Sequence, residues 1–341
     1  MKRVALFVLA LGISPAHAAF TSFDAPGAGT QGGRGTYGYG VNRQGEVAGN
    51  VLDQQNRYSG YVRASDGTVT VFNAITGAET HAVDINRDGT SVGYYMGTDG
   101  RYHGFTRTGD GAIASFDPKK SKGTQGLAID TKGDVAGQYT GSDGVQHGFL
   151  RAAKGKIATF DGGTSNTFGT FVTGVNPAKS LTGFWFDSAS AMHGYIRAKD
   201  GTLTAFDVDG AGTGTLQGTQ PESINGNGDI AGFYTDSAGK RHGFLRTADG
   251  TVTTFDAPKA ATTVVAGVNK NDDIAGYYVD GKNIAHGFLR TSKGKLKTFD
   301  APNAALQAGA GTFVSRIADD GTIVGEVYDS NFTAHGFFGT P

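Results

Sequence analysis

The sequence predicts an all-β fold, a seven-bladed β-propeller of four-stranded blades, and three observations carry that expectation. One phrase recurs every 44 to 49 residues along the chain, the period of a propeller blade. Each copy divides into four short segments rich in β-branched and aromatic residues. The last copy lacks its fourth segment, and the start of the chain supplies one.

The phrase is anchored by a His-Gly-Phe core at His103, His147, His193 (with Tyr195 for Phe), His242, His286 and His335, and Ser59-Gly60-Tyr61 is a seventh copy. A Phe-Asp element stands at Phe23, Phe116, Phe160, Phe206, Phe255 and Phe299, with Phe72-Asn73 as its variant. Each unit opens on Val or Ile followed by Asn42, Asn86, Asp130, Asn176, Asn225, Asn269 or Ala318. From there the step to a central column (Val51, Tyr95, Tyr139, Trp185, Tyr234, Tyr278, Val327) is always 9, and the step on to the His position is always 8. The Phe of Phe-Asp follows 13 residues later. Length varies only between Phe-Asp and the next opening, so all insertions fall in one connector per unit.

Within a unit, Gly, Asn and Asp clusters split the strands, as in Asn-x-x-Gly and Ala-Asp-Gly, where a tight turn needs positive φ. No segment sustains a 3.6-residue period, so no helix is expected. The blades are placed at about 38–74, 82–118, 126–162, 172–208, 221–257, 265–301 and 314–339. Residues 19–26, with Phe20-Thr-Ser-Phe23-Asp-Ala-Pro26, are expected to add the outer strand of the last blade and close the ring, which seals a sheet edge.

The Asn-x-x-Gly-x-Ile/Val-x-Gly opening with its following His-small-Phe resembles the bacterial predicted extracellular repeats named for a His-Ala-Phe motif. The resemblance spans residues 19–341, with Gly for the middle Ala in every copy. It implies an exported repeat protein and brings no catalytic residues with it.

Composition and charge agree. Gly is 56 of 341 and Pro only 8, which excludes collagen and proline-rich linkers. Lys2 and Arg3, the apolar run Val4 to Ile13 and Ala16-His17-Ala18 read as a secretory signal over 1–18, too short to span a bilayer. Its removal near Ala18-Ala19 leaves 28 basic residues against 31 acidic ones, with no basic run, so nucleic acid is not an expected partner. Membrane insertion has no support either, and the destination is periplasmic or extracellular. There is no cysteine, so no disulfide framework stabilises the exported chain.

The recurring residues read as structural. Six equivalent histidines, one per blade, are too far apart to share a metal ion, so each imidazole is expected to bond a neighbouring turn or the Asp of its Phe-Asp. The Arg four residues after each His position (Arg63, Arg107, Arg151, Arg197, Arg246, Arg290) reads as an outer-strand or inter-blade salt bridge. Trp185 occupies the central tyrosine column and reads as packing. Asn86-Arg-Asp88-Gly89 and Asp207-Val-Asp209-Gly210 faintly resemble calcium loops but lack the glutamate, and read as turns. No metal and no cofactor is expected.

Function is therefore sought where the repeat breaks. Alternating chain direction puts the connectors and the second-to-third-strand turns on one face, which holds the long connectors Ala25–Gly40, Val208–Ser223 and Ala301–Arg316. At the inner-strand ends, Asp84, Ser223 and Arg316 replace small residues. His81, Glu222, Tyr39, Arg34 and Gln125 sit where connectors enter inner strands. The favoured reading is a module that binds an extracellular glycan or an envelope protein through this face. The alternative is a polysaccharide lyase at the channel mouth, with Arg316 or Arg34 neutralising a uronate, His81 taking the α-proton and Tyr39 protonating the leaving oxygen. A hydrolase would need paired carboxylates, for which Asp84 and Glu222 are the candidates.

Overall fold

The computed structural model describes residues 19–163 and 168–341. The expected signal segment 1–18 lies outside the described residues. Among the described residues there is no helix, and the architecture is a β-propeller of antiparallel four-stranded units. One unit runs Gly123–Ile129, Val135–Thr140, Gln146–Arg151 and Ile157–Phe160, each strand pairing with the one before it. The inner strands begin two or three residues ahead of the expected blade starts, at Gly35, Thr80, Gly123, Thr170, Gly218, Thr262 and Gly311. Each carries a register shift, for example between Gly126 and Ala128, so one extra residue interrupts the period of two from which a strand start is read.

Neighbouring units meet along their inner strands in chain order, and Gly311–Ile317 in turn contacts Gly35–Val41. The last three strands, Gly311–Ile317, Ile323–Tyr328 and Ala334–Thr340, receive a fourth from Ala19–Phe23, which pairs antiparallel with Phe23 opposite Gly336 and Ala19 opposite Thr340. Three long connectors end on glycines at φ 138°, 114° and 118° (Gly35, Gly218, Gly311). A β-carbon at Gly311 would overlap the carbonyl oxygen of Ala285, so only glycine lets the connector enter its strand there.

The core is repeated rather than central. The aromatic of each His-Gly-Phe copy (Tyr61, Phe105, Phe149, Tyr195, Phe244, Phe288, Phe337) is wholly buried. The glycine before it is a contact surface, because a β-carbon at Gly104 would lie 2.5 Å from the ring of Phe116. A buried threonine in six of the seven inner strands does a job the sequence did not advertise: the Thr36, Thr80, Thr170, Thr219, Thr263 and Thr312 hydroxyls accept the backbone N–H that follows the Phe-Asp or Phe-Asn element. In the third unit Pro118 has no N–H to give, and Thr124 meets the Ser121 hydroxyl at 2.9 Å instead.

Every motif histidine bonds its Phe-Asp aspartate through Nδ1: His103 to Asp117 at 2.7 Å, His147 to Asp161 at 2.6 Å, His193 to Asp207 at 2.9 Å, His242 to Asp256 at 3.0 Å, His286 to Asp300 at 2.8 Å and His335 to Asp24 at 2.8 Å. Nε2 faces a second aspartate in the second-to-third-strand turn, such as Asp99 at 3.1 Å from His103. Trp185 packs as the tyrosines of its column do, its ring centroid 4.7 Å from that of His193. The calcium-like segments are turns: Asn86 Oδ1 accepts the Asp88 and Thr90 amides, and Asp207 is spent on His193.

The arginine column corrects the salt-bridge expectation. Arg107, Arg151, Arg197, Arg246 and Arg290 lie over Phe72, Phe116, Phe160, Phe206 and Phe255 of the preceding unit at 4.8 to 5.0 Å. Arg63 lies over Phe338 at 4.2 Å and Phe23 at 5.4 Å. The contact does cross between units, but its partner is a ring face, and where a carboxylate lies near the guanidinium, as Asp110 does beside Arg107, it is taken by the hydroxyl and amide of its own turn. Replacing Arg151 by Ala is expected to cost about 1 kcal/mol, while Arg87→Ala, whose guanidinium reaches only Asp88 in solvent, should stay within about 0.5 kcal/mol. Urea midpoints at constant m-value check this, and equal midpoints for the two variants would remove the cation–π account.

Candidate functional site

The channel is built from inner strands, and its lining differs from end to end. Where those strands leave for their hairpin turns, a cavity of about 260 Å³ is bounded by turn residues such as Asn42, Asn86 and Asp319 and by Asp84, Ser223 and Arg316. Arg316 Nη2 lies 3.2 Å from Asp84 Oδ2. Asp84 also accepts the Ile85 amide at 2.9 Å and the Ile129 amide at 3.1 Å, so one carboxylate ties three units. Burial pushes this carboxyl up, against the opposing pull of Arg316 and the two amides.

Further along the channel two more carboxyls sit in the wall. Glu222, at the bulge of its inner strand, accepts from Gln220 Nε2 at 2.6 Å, and burial pushes it up to about 7 despite Arg316 and Arg241 nearby. Glu326 comes from a second strand, accepts from Ser315 Oγ at 3.3 Å, and is pushed up to about 8 by burial. Tyr39 lies near Glu326, and burial first, then that carboxyl, holds its hydroxyl well above the usual range. Tyr37 stacks on Tyr39 with centroids 6.3 Å apart, and Tyr277, Phe313 and Tyr328 continue the aromatic wall at 5.1 and 5.5 Å.

His81 is engaged on both nitrogens. Asn50 accepts the Ala82 N–H on Oδ1 at 2.8 Å, which turns its amide group toward His81 Nδ1 at 3.1 Å. Nδ1 therefore accepts, and Nε2 carries the proton toward Glu79 Oε1 at 2.7 Å. The ring lies between Tyr58 and Tyr94, each with its centroid 4.7 Å away, and the residue is 9% exposed.

Of the residues singled out from the sequence, the structure joins Asp84 to Arg316 and places Glu222 within the field of Arg316. His81 shares no hydrogen bond or ion pair with Arg316, Arg34, Tyr39 or Glu222 among the described residues. Arg34 donates to the Gln31 carbonyl at 3.2 Å, and its own carbonyl accepts the Ala334 N–H at 2.8 Å, so it shapes its connector. Gln125 accepts from Gln138 Nε2 at 3.1 Å. Sequence reasoning missed Glu326, Asn50, Tyr58 and Glu79; Glu326 had a signal, since the same column elsewhere holds only Asn50, Tyr94, Gln138, Phe184, Phe233 and Tyr277.

The connectors fold over the second-to-third-strand turns. Gln217 Nε2 donates to Ser237 O at 3.2 Å and Gln307 Nε2 to Ser330 O at 3.1 Å. Large apolar side chains stand exposed on this face: Phe168 at 48%, Leu216 at 62%, Leu306 at 65% and Phe332 at 40%. Elsewhere among the described residues only Val252 joins them, at 37%.

No protein-family model and no curated protein matches the sequence. Solved structures do. The chain is similar to the BP39L lectin from Burkholderia pseudomallei at 10% identity and TM-score 0.55, covering 94% of this chain and 99% of that one. It is also similar to TolB from Acinetobacter baumannii (9% identity, TM-score 0.46, covering 83% and 76%) and to the WD40 domain of SCAP from fission yeast (10%, 0.44, covering 95% and 98%). At these identities the likeness speaks to fold. Among the described residues no helix is long and apolar enough to cross a membrane.

The two channel glutamates set a pH dependence. Their folded values lie above the unfolded one of about 4.5, so their contribution is fully present below that pH and is lost as pH rises through about 7 for Glu222 and about 8 for Glu326. Burial lowers His103, His147 and His193, but the aspartates beside them prevail and raise them, so they too lose stabilisation as pH rises. The thermal midpoint is expected to fall from pH 5.5 to pH 8.5, and Glu326→Gln should flatten the slope. A slope unchanged in that variant would mean that Glu326 ionises freely.

Proposed function

We propose that the chain is exported, closes as a seven-bladed ring, and serves as a binding module for an extracellular or periplasmic glycan or envelope protein through its connector face. The ring reading is supported by the register of Phe23 with Gly336 and by the His335–Asp24 bond, which repeats in the last unit what the other units do internally. Membership among the His-Ala-Phe-type repeats, and a signal over residues 1–18, belong to the same proposal.

One observation carries the binding reading: Leu216, Leu306 and Phe332 stand exposed on the face that also holds every insertion. Large apolar side chains left open to water among polar loops suit a surface that a partner covers. The fold is one that a lectin also uses. A lyase would need His81 as base, yet its acceptor nitrogen is taken by Asn50 and its other nitrogen serves Glu79.

A glycan array and a pull-down from the native envelope test this. A ligand is expected whose binding weakens at least about tenfold in Leu216→Ser/Leu306→Ser/Phe332→Ser, at unchanged thermal midpoint. Undiminished capture by that variant would move the binding surface off this face.

A further inference from the structure

The repeat fails in one unit, and the failure leaves a cavity. In the other units a histidine fills the gap between the second-to-third-strand turn and the Phe-Asp element, with a carboxylate on each side. In the first unit the histidine is Ser59 and the Phe-Asp aspartate is Asn73, while the turn aspartate Asp53 is retained. Between them lies a cavity of about 400 Å³ bordered by Asp53, Arg57, Tyr58, Ser59, Asn73 and Glu79. Its walls are a second-to-third-strand turn and a connector, so it belongs to the connector face. Its size suits a small ligand.

The wall chemistry narrows the ligand. Asp53 is occupied, its Oδ1 accepting the Gln55 and Arg57 amides and its Oδ2 pairing with Arg57 Nε at 2.8 Å. Glu79 uses Oε1 for His81 and for the Tyr102 hydroxyl, which leaves Oε2 as an acceptor. Arg57 Nη1 and the Tyr58 hydroxyl have no partner among the described residues and are donors. The ring of Tyr58 is held against His81 with centroids 4.7 Å apart, a rigid apolar wall beside these groups. A guest must both donate and accept at adjacent atoms and present a carbon–hydrogen face, and hydroxyl groups on a ring do this. Asp53 and Glu79 outweigh Arg57, so an anionic guest is disfavoured.

We infer that this cavity binds a single neutral pyranose residue. The inference rests on the connector-face reading and names one subsite within it.

The other units supply the test. In the last unit His335 stands opposite Val327, as Ser59 stands opposite Val51, so Ser59→His/Asn73→Asp rebuilds an arrangement the fold already holds. That double variant is expected to fold with a thermal midpoint no lower than that of the native protein and to fill the cavity. Titrations would use methyl glycosides of glucose, galactose, mannose, fucose and N-acetylglucosamine, with methyl glucuronide as the anionic arm. At least one neutral glycoside should bind at millimolar concentration and the glucuronide should not. The double variant should weaken binding at least about tenfold, and Glu79→Gln, which keeps an acceptor for His81, should weaken it in the same direction should the double variant not fold.

Neutral-glycoside binding unchanged in the folded double variant, or unchanged in Glu79→Gln if the double variant does not fold, overturns the cavity. So does tighter binding of the glucuronide, or no glycoside binding at all. None of these touches the face itself, which the leucine and phenylalanine substitutions read separately on an array ligand.

Discussion

The phenylalanine of each Phe-Asp element is the contact on which the propeller is built. Phe116 shows all of its roles. On one side the ring lies against Gly104 of its own unit, on the other it meets Phe149 of the next edge-on at 5.8 Å, and Arg151 of that same next unit covers it at 4.9 Å. One side chain from the outermost strand therefore fixes both the pairing inside a unit and the spacing between units. Phe23 does the same across the chain ends, with Gly336 beneath it, Tyr61 at 5.9 Å and Arg63 at 5.4 Å. Where the last unit has Gly339 in place of the arginine, Phe20 stacks on Phe299 at 4.6 Å and restores the contact by other means.

Polar groups fix what the rings leave free. Each imidazole between two carboxylates pins a turn to an outer strand, and each opening asparagine caps its own turn with Oδ1; in four of the five Nδ2 also reaches the next unit, as Asn42 does to Asn86 O at 2.9 Å and Asn176 to Asn225 O at 3.0 Å. With no disulfide, these small directional bonds, repeated from unit to unit, define the geometry that apolar packing alone leaves loose. Stability held in repeated contacts leaves the lining of the channel free to vary from unit to unit.

Much of this was legible in the sequence because a repeat compares a chain with itself. A histidine and an aspartate at constant spacing in unit after unit must share a local job, and the missing fourth strand at one end matches the surplus strand at the other. The arginine column was misread because strand alternation gives the face of a side chain and not its partner; carboxylate and ring lie equally well on that face, and which one the guanidinium covers is set by the outer strand of the preceding unit. Glu326 obeys its alternation, and only its charge, in a column that is otherwise neutral, set it apart. The partnership of His81 with Asn50 crosses between units, where spacing in the chain carries no information. The early starts of the inner strands follow from the bulge, which breaks the period of two by which a strand is recognised.

The channel's electrostatics bear on which guest the protein can admit. Glu222 and Glu326 titrate at about 7 and about 8, so both are largely protonated in mildly acidic surroundings and become charged as pH rises past neutrality. Arg316, the cation a uronate would seek, is committed to Asp84 at 3.2 Å. A polyanion approaching the channel thus meets carboxyls gaining charge and an Arg316 already paired, and must look to Arg241 near Glu222 or to Arg43 and Arg87 at the turn end to compensate the loss of its own hydration. A neutral ligand meets aromatic walls and hydrogen-bonding groups that cost it no charge transfer out of water.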